Sequence, residues 1–172
     1  MKTLRTSLIF TLLLGAAAVP GHAVASELPR QAVLPLKMAA QAVDAALAQC
    51  RKDGYRVSVA VVDRGGVIRA QMRDDGAGVH TVDSSRRKAY TAVSMGRPTQ
   101  FFAELINRVP NIEGIRDMNA SILMLGGGFP VKIAGEVVGG IGVGGAPGAK
   151  LDEVCARAGL KAIGADLYES SE

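Results

Sequence analysis

Apolar positions recur at Leu36, Ala39, Ala40, Val43, Ala46, Leu47 and Cys50, a three-and-four spacing that lays one buried stripe along a helix. Pro35 suits its first turn, and Asp53-Gly54 stops it. Two β-branched runs follow, residues 57–62 and 67–72, with Asp63-Arg64-Gly65-Gly66 between them as a tight hairpin turn. Residues 73–81 are polar and interrupted by glycine, which predicts a loop. Asp83 or Ser84 can cap a helix reaching Met95 with Ala89, Ala92 and Val93 inward. A shorter helix is expected over 101–108 and a loop through Pro110 to Asn119. Three strands are expected over 121–125, 129–133 and 136–143, the last two joined by Ala134-Gly135. A final helix over 151–167 carries Asp152 and Glu153 near its positive N-terminal end.

The predicted order is therefore α-β-β-α-α-β-β-β-α. Short turns inside each β cluster require antiparallel pairing, because parallel strands need a long crossover. Apolar stripes on several helices need a sheet to cover, so an α+β domain with a five-stranded antiparallel sheet is expected.

The first 25 residues carry a different pattern. Lys2 and Arg5 precede an apolar stretch from Leu8 to Val19, Pro20-Gly21 break it, and Ala23-Val24-Ala25 end it. This is the layout of a secretory signal peptide with cleavage after Ala25. The apolar stretch is also shorter than the roughly 20 residues needed to cross a bilayer. A signal peptide over 1–25, one domain over 26–172 and a periplasmic or secreted location are the expectations.

Composition adjusts the picture in three places. Loss of Lys2 and Arg5 from 20 basic residues leaves 18 against 16 acidic ones. A balance near +2, with no Trp, three Tyr and four Phe, offers neither the charge nor the stacking surface that nucleic acid needs. Cys50 and Cys155 lie 105 residues apart in the first and last predicted helices. An oxidising compartment permits a disulfide between them, while two buried thiols acting as small hydrophobes is the other reading. Beyond the leader there is one histidine, His80. A tetrahedral zinc site wants several His or Cys ligands, although Asp74, Asp75 and Asp83 leave a weak or shared mixed site open. One histidine suffices for heme, whose iron needs a single strong axial ligand. No C-x-x-C-H occurs for covalent attachment.

Three motif matches do not carry their usual chemistry. Ser85-Arg86-Arg87-Lys88 fits S-x-x-K but lacks the S-D-N and K-T-G companions of penicillin-binding enzymes. Lys88 then reads as a charged side chain leaving the start of a helix. Gly140-Ile141-Gly142-Val143-Gly144-Gly145 fits G-x-G-x-x-G, but Pro147-Gly148 follow and 27 residues leave no room for a second βα unit. Close packing of a strand against a helix explains these glycines better. Gly126-Gly127-Gly128 is either a turn needing positive φ or a rim where backbone amides approach a ligand.

Ordered blocks across residues 35–167 resemble the GlcG/HbpS-like family of heme-binding proteins, and are similar also to the C-terminal domain of PduO-type proteins. The blocks are Val59-Ala60-Val61-Val62-Asp63-Arg64-Gly65-Gly66, Arg73-Asp74-Asp75-Gly76-Ala77, His80-Thr81, Arg87-Lys88-Ala89-Tyr90-Thr91-Ala92, Gly126-Gly127-Gly128-Phe129-Pro130, Gly139-Gly140-Ile141-Gly142-Val143 and Asp152-Glu153. The resemblance implies a profilin-like α/β/α sandwich with a five-stranded antiparallel sheet, homo-oligomers and non-covalent binding of heme or a related tetrapyrrole. For exported members it also implies redox sensing with a membrane partner.

Chemistry then places the site. His80 is the expected axial ligand. Arg73 and Lys88 are candidates for the propionates, and Gly127, Gly128 and Pro130 for a wall. The leading expectation is an exported heme-binding or heme-sequestering protein. The alternatives are a small enzyme gripping an organic carboxylate through Arg73 and Lys88, and an accessory module docking on a membrane sensor or dehydrogenase.

Overall fold

Residues 27–168 are described by a computed structural model; the leader at 1–25 lies outside them. Strands β1 (Ser58–Asp63), β2 (Ile68–Arg73), β3 (Gly128–Ile133) and β4 (Glu136–Gly144) form one sheet in the order β2-β1-β4-β3. Every neighbouring pair is antiparallel. Both hairpins close through their turn chemistry. In the first, Asp63 Oδ1 accepts the amides of Gly65 and Val67 at 2.9 and 3.0 Å. In the second, Ala134 and Gly135 take φ of +51° and +83°, the two left-handed residues that a tight primed turn requires.

Helices α1 (Leu36–Lys52) and α4 (Ala149–Ala162) cover one face of the sheet, and α2 (His80–Met95) lies across the other. The main core is the α1/α4 layer: Val43, Leu47 and Leu160 meet Val59, Val61, Phe129 and Ile141, all buried. Cys50 and Cys155 are bonded to each other inside it. Of the two readings the sequence leaves open, the structure holds the disulfide.

On the α2 face β4 presents Gly140, Gly142 and Gly144. A Cβ at Gly142 would lie against Ser85 O and 2.6 Å from Ala89 N, and one at Gly144 would lie 2.6 Å from Ser84 Oγ. The alternate glycines therefore flatten the strand so that the α2 backbone can rest on it, the packing role expected of them.

The profilin-like α+β class expected from the sequence is the one observed, with four strands instead of five. Residues 121–125 are not a strand, because helices satisfy their backbone. Leu123 N donates to Thr91 Oγ1 at 2.8 Å, Arg87 donates to Ile122 O, and Thr99 Oγ1 donates to Leu125 O at 2.7 Å. The alternation in this segment is real, but Ile122 and Met124 use it to join Phe102 and Ile106 in a small cluster beside α3 (Thr99–Arg108).

Three boundaries also move. The expected loop over 110–119 contains a 3-10 helix, Pro110–Asp117. The last helix ends at Ala162, where Gly164 turns the chain at φ +66°, and Asp166 N then donates to Lys132 O of β3. Helix α2 begins at His80, earlier than Asp83. Thr81 Oγ1 donates to Gly78 O and pairs with Ser58 Oγ of β1 at 2.7 Å, which ties this first turn to the sheet.

Candidate functional site

His80, Ser84 and Lys88 stand four residues apart on α2, so they share one face of the helix. All three line a depression of about 310 Å³. Leu125 forms one side; the loop Gly144-Gly145-Ala146-Pro147-Gly148, with Ala149 and Asp152 of α4, forms the other.

The structure moves His80 from an expected loop to the first residue of α2, exposed at the pocket mouth. Its ring folds over Gly78, where a Cβ would stand 2.6 Å from Cε1 and 2.9 Å from Nδ1. Glycine at 78 is what allows that pose. No side-chain hydrogen bond among the described residues engages the ring, and the pocket lies beside it.

Lys88 departs furthest from expectation. It sits on the sheet-facing side of α2, 1 % exposed, and is the largest fully buried side chain described. Its Nζ donates to Val143 O at 2.9 Å and to Asp152 Oδ2 at 2.8 Å. Asp152, 3 % exposed, also accepts the amide of Ala146 on Oδ1 at 3.0 Å. Burial pushes the Asp152 carboxyl above its ordinary range, against the pull of the Lys88 ammonium and the amides of Ala146 and Gly145. Lys88 is thus no free charge leaving a helix start, and a propionate meets its ammonium only with Asp152 already bonded to it.

Arg73 is not brought to this pocket. It closes a rung of the sheet, Arg73–Ser58–Gly144, two strands from the pocket edge. At about 4.8 Å per strand that is roughly 10 Å. The glycine wall divides as well. Gly127, at φ +109°, borders the pocket floor: a Cβ there would stand 2.8 Å from Asp152 Cβ and 3.0 Å from Lys88 Nζ. Gly128 and Pro130 belong to β3, pairing with Gly142 and Gly140. Gly128 lies beneath Lys88 O and Thr99, and Pro130 is buried in the sheet.

Two other sequence features resolve into structural roles. Ser85 Oγ donates to Val82 O at 3.0 Å; its neighbour Ser84, not Ser85, shares the pocket with Lys88. Asp74 is buried by Arg51, which donates to both its oxygens at 2.9 and 3.1 Å. That hydrogen bonding holds the Asp74 carboxyl below its ordinary range. Among the described residues no three His, Cys, Asp or Glu side chains gather as a metal-holding group.

Sequence reasoning missed Asp152 as the partner of Lys88, and missed Ser84 and the loop from Gly144 to Gly148. Lys88 and Asp152 are 64 residues apart, so no local spacing signals the pair. Ser84 carries a local signal, four residues from both His80 and Lys88 on one helix face.

The pocket has the parts to take one edge of a heme: an exposed imidazole at its mouth, an apolar rim from Leu125, Ala146, Pro147 and Ala149, and polar groups at its floor. Its volume is at the small end of ligand sites, which run from about 300 to 1,000 Å³, so it has room for part of a macrocycle and not for a whole one. None of its lining residues is Phe, Tyr or Trp.

Comparison with known proteins places this geometry in a class. A family model described as "Haem degrading protein HbpS-like" matches residues 34–161. The chain belongs to the HbpS-like family. It is 45 % identical to a double mutant of Streptomyces reticuli HbpS, with a TM-score of 0.74 over 84 % of this chain and 97 % of that one. It is 31 % identical to Protein GlcG of Escherichia coli (strain K12) over 111 residues, 64 % of this chain and 81 % of that protein. The PduOC:heme complex has the same fold at 23 % identity, with a TM-score of 0.73 over 80 % of this chain and all of that one.

Proposed function

We propose that this protein binds heme non-covalently at the α2 pocket, with the His80 imidazole as the iron ligand. The observation that carries the reading is one unengaged, exposed histidine at the mouth of a ligand-sized depression, in a chain whose family is described as heme-degrading. Bound heme supplies the redox chemistry of its iron; this chain's part is to orient the ring through His80 and to shelter one edge against Leu125 and Pro147. Hemin titrated into the purified protein is expected to give a saturable one-to-one Soret change. His80→Ala is expected to abolish it. Weak, unsaturable uptake identical in both proteins would overturn the assignment.

The wider setting is part of the same proposal. The protein is exported after cleavage near Ala25, consistent with the leader pattern and with a disulfide, which an oxidising compartment maintains. It acts there as a heme-binding or sequestering protein, or in redox sensing beside a membrane partner, as a homo-oligomer. Fractionation and N-terminal sequencing test the export; a start at Ser26 is expected.

The small-enzyme alternative has less support. Its two proposed carboxylate grips lie apart, Arg73 on the β2 edge and Lys88 at the pocket floor bonded to Asp152.

A further inference from the structure

The chain has three asparagines, Asn107, Asn111 and Asn119. Asn107 precedes Arg108-Val109, and Asn111 precedes Ile112-Glu113. Asn119 alone is followed by a residue other than proline and then by a hydroxyl, in Ala120-Ser121. Asn-x-Ser is the acceptor pattern for N-linked glycans, and it is used on surface loops of exported proteins. Asp117 stands two residues ahead, so the full string is Asp-x-Asn-x-Ser.

The fold puts this string within reach of an enzyme. The 3-10 helix ends at Asp117, and no strand or helix follows until β3 begins at Gly128. Asp117, Met118, Asn119 and Ala120 are all exposed, before the chain dips inward at the buried Ile122. Asn119 Oδ1 accepts the amide of Ser121 at 2.7 Å, an Asx turn. That bond uses the oxygen. Nδ2, the atom that would carry a glycan, has two protons and no hydrogen bond among the described residues. The Ser121 hydroxyl accepts from Arg86 at 3.2 Å, which leaves its own proton for another partner. Neither the amide nitrogen nor the hydroxyl proton is committed to the fold.

We propose that Asn119 is an N-glycosylation site. The donor that fits is a lipid-diphosphate-linked oligosaccharide, transferred by a membrane oligosaccharyltransferase on the periplasmic side. Nδ2 of Asn119 bonds to the anomeric carbon of the first sugar, and the bond from that carbon to the diphosphate oxygen breaks. The lipid diphosphate leaves with the electron pair, and one Nδ2 proton passes to a base of the transferase. An amide nitrogen is a weak nucleophile because its lone pair is delocalised into the carbonyl, so activation belongs to the transferase. This chain supplies the exposed amide, the hydroxyl two residues on and the charge of Asp117. The inference rests on the export reading and is independent of heme.

The test is to produce the full chain, leader included, in a host carrying a bacterial oligosaccharyltransferase selective for an acidic residue two places before the acceptor. Intact mass should show a species heavier by one whole glycan. Trypsin should release that mass on the peptide 117–132, which contains Asn119 and neither of the other asparagines. Asn119→Gln and Ser121→Ala should abolish the heavier species, Asp117→Asn should deplete it, and Ser121→Thr, which keeps the hydroxyl, should retain it. These substitutions lie at an exposed loop and should leave the melting temperature near that of wild type, so the loss reads the acceptor and not folding. A chain that starts at Ser26 and carries no added mass overturns the proposal and leaves export standing. A chain that keeps its leader overturns the export reading, and this proposal with it.

Discussion

On one side of the sheet, Val43, Leu47, Leu160 and Phe129 fill the space under α1 and α4, and a disulfide joins the two helices. On the other side, α2 lies on bare glycine backbone and buries Ser58, Thr81, Ser85, Lys88 and Thr91. The first face is held by apolar area, which is non-directional and tolerant of shape. The second has only a small apolar cluster, Ala60, Val62 and Ala89, and adds hydrogen bonds and one ion pair, which require particular partners. The pocket opens where the second face ends, at the first turn of α2 and the glycine-rich loop leading into α4. A polar, directionally bonded layer holds Ser84 and Lys88 in place beneath the exposed, unbonded His80 ring; an apolar layer offers a ligand little to recognise.

The contrast predicts graded effects. Lys88→Ala should cost the most, about 3–5 kcal/mol, because it strands a buried carboxylate. Denaturant unfolding checks this, and Lys88→Met/Asp152→Leu should recover much of the loss. Replacing Cys50 and Cys155 together by Ala should cost about 2–5 kcal/mol, toward the upper end for a loop of this length. That loss should leave the pocket face intact, so hemin binding should persist wherever the variant is folded; a disulfide that also built the pocket would remove both. Gly142→Ala is expected to cost about 1–3 kcal/mol by forcing α2 off the sheet. A thermal melt unchanged from wild type would contradict the close approach of strand and helix.

Asp74 gives the smallest effect and a pH signature. Hydrogen bonds from Arg51 hold its folded pKa below the ordinary 3.8. Its contribution is therefore complete above that value and disappears as the pH falls through the folded pKa. Arg51 is about half exposed, so the contribution is on the order of 1 kcal/mol or less. Asp74→Asn should flatten the acid limb of the stability curve and leave neutral-pH hemin binding unchanged.

The apolar face was far more legible in the sequence than the polar one. Spacing alone announces α1: of the expected stripe, Ala39, Val43, Ala46, Leu47 and Cys50 are buried, joined by Ala42, while Ala40 is half-buried and Leu36, in the first turn, is exposed. Both hairpin turns are visible as Asp63-Arg64-Gly65-Gly66 and Ala134-Gly135 for reasons local to four or two residues. The segment 121–125 shows how a local pattern misleads. Its alternation fits a strand, yet Thr91, Arg87 and Thr99, all distant in sequence, take its backbone hydrogen bonds. The site was legible only in its pieces. His80 stands out as the sole histidine after the leader, whereas Lys88 is the last of three consecutive basic residues, Arg86-Arg87-Lys88, with nothing local to set it apart from the two arginines. That Lys88 turns inward, and that Asp152 awaits it, depends on the tertiary approach of α4 to β4.

The most direct test is the stability of wild type and His80→Ala measured with and without hemin. His80 is exposed, so its truncation should leave the ligand-free protein within about 0.5 kcal/mol of wild type. Hemin at a hundred times its dissociation constant should stabilise wild type by about 2.7 kcal/mol. His80→Ala is expected to lose most of that increment while keeping its ligand-free stability. An equal increment in both proteins would contradict it and put the heme elsewhere than at the α2 pocket.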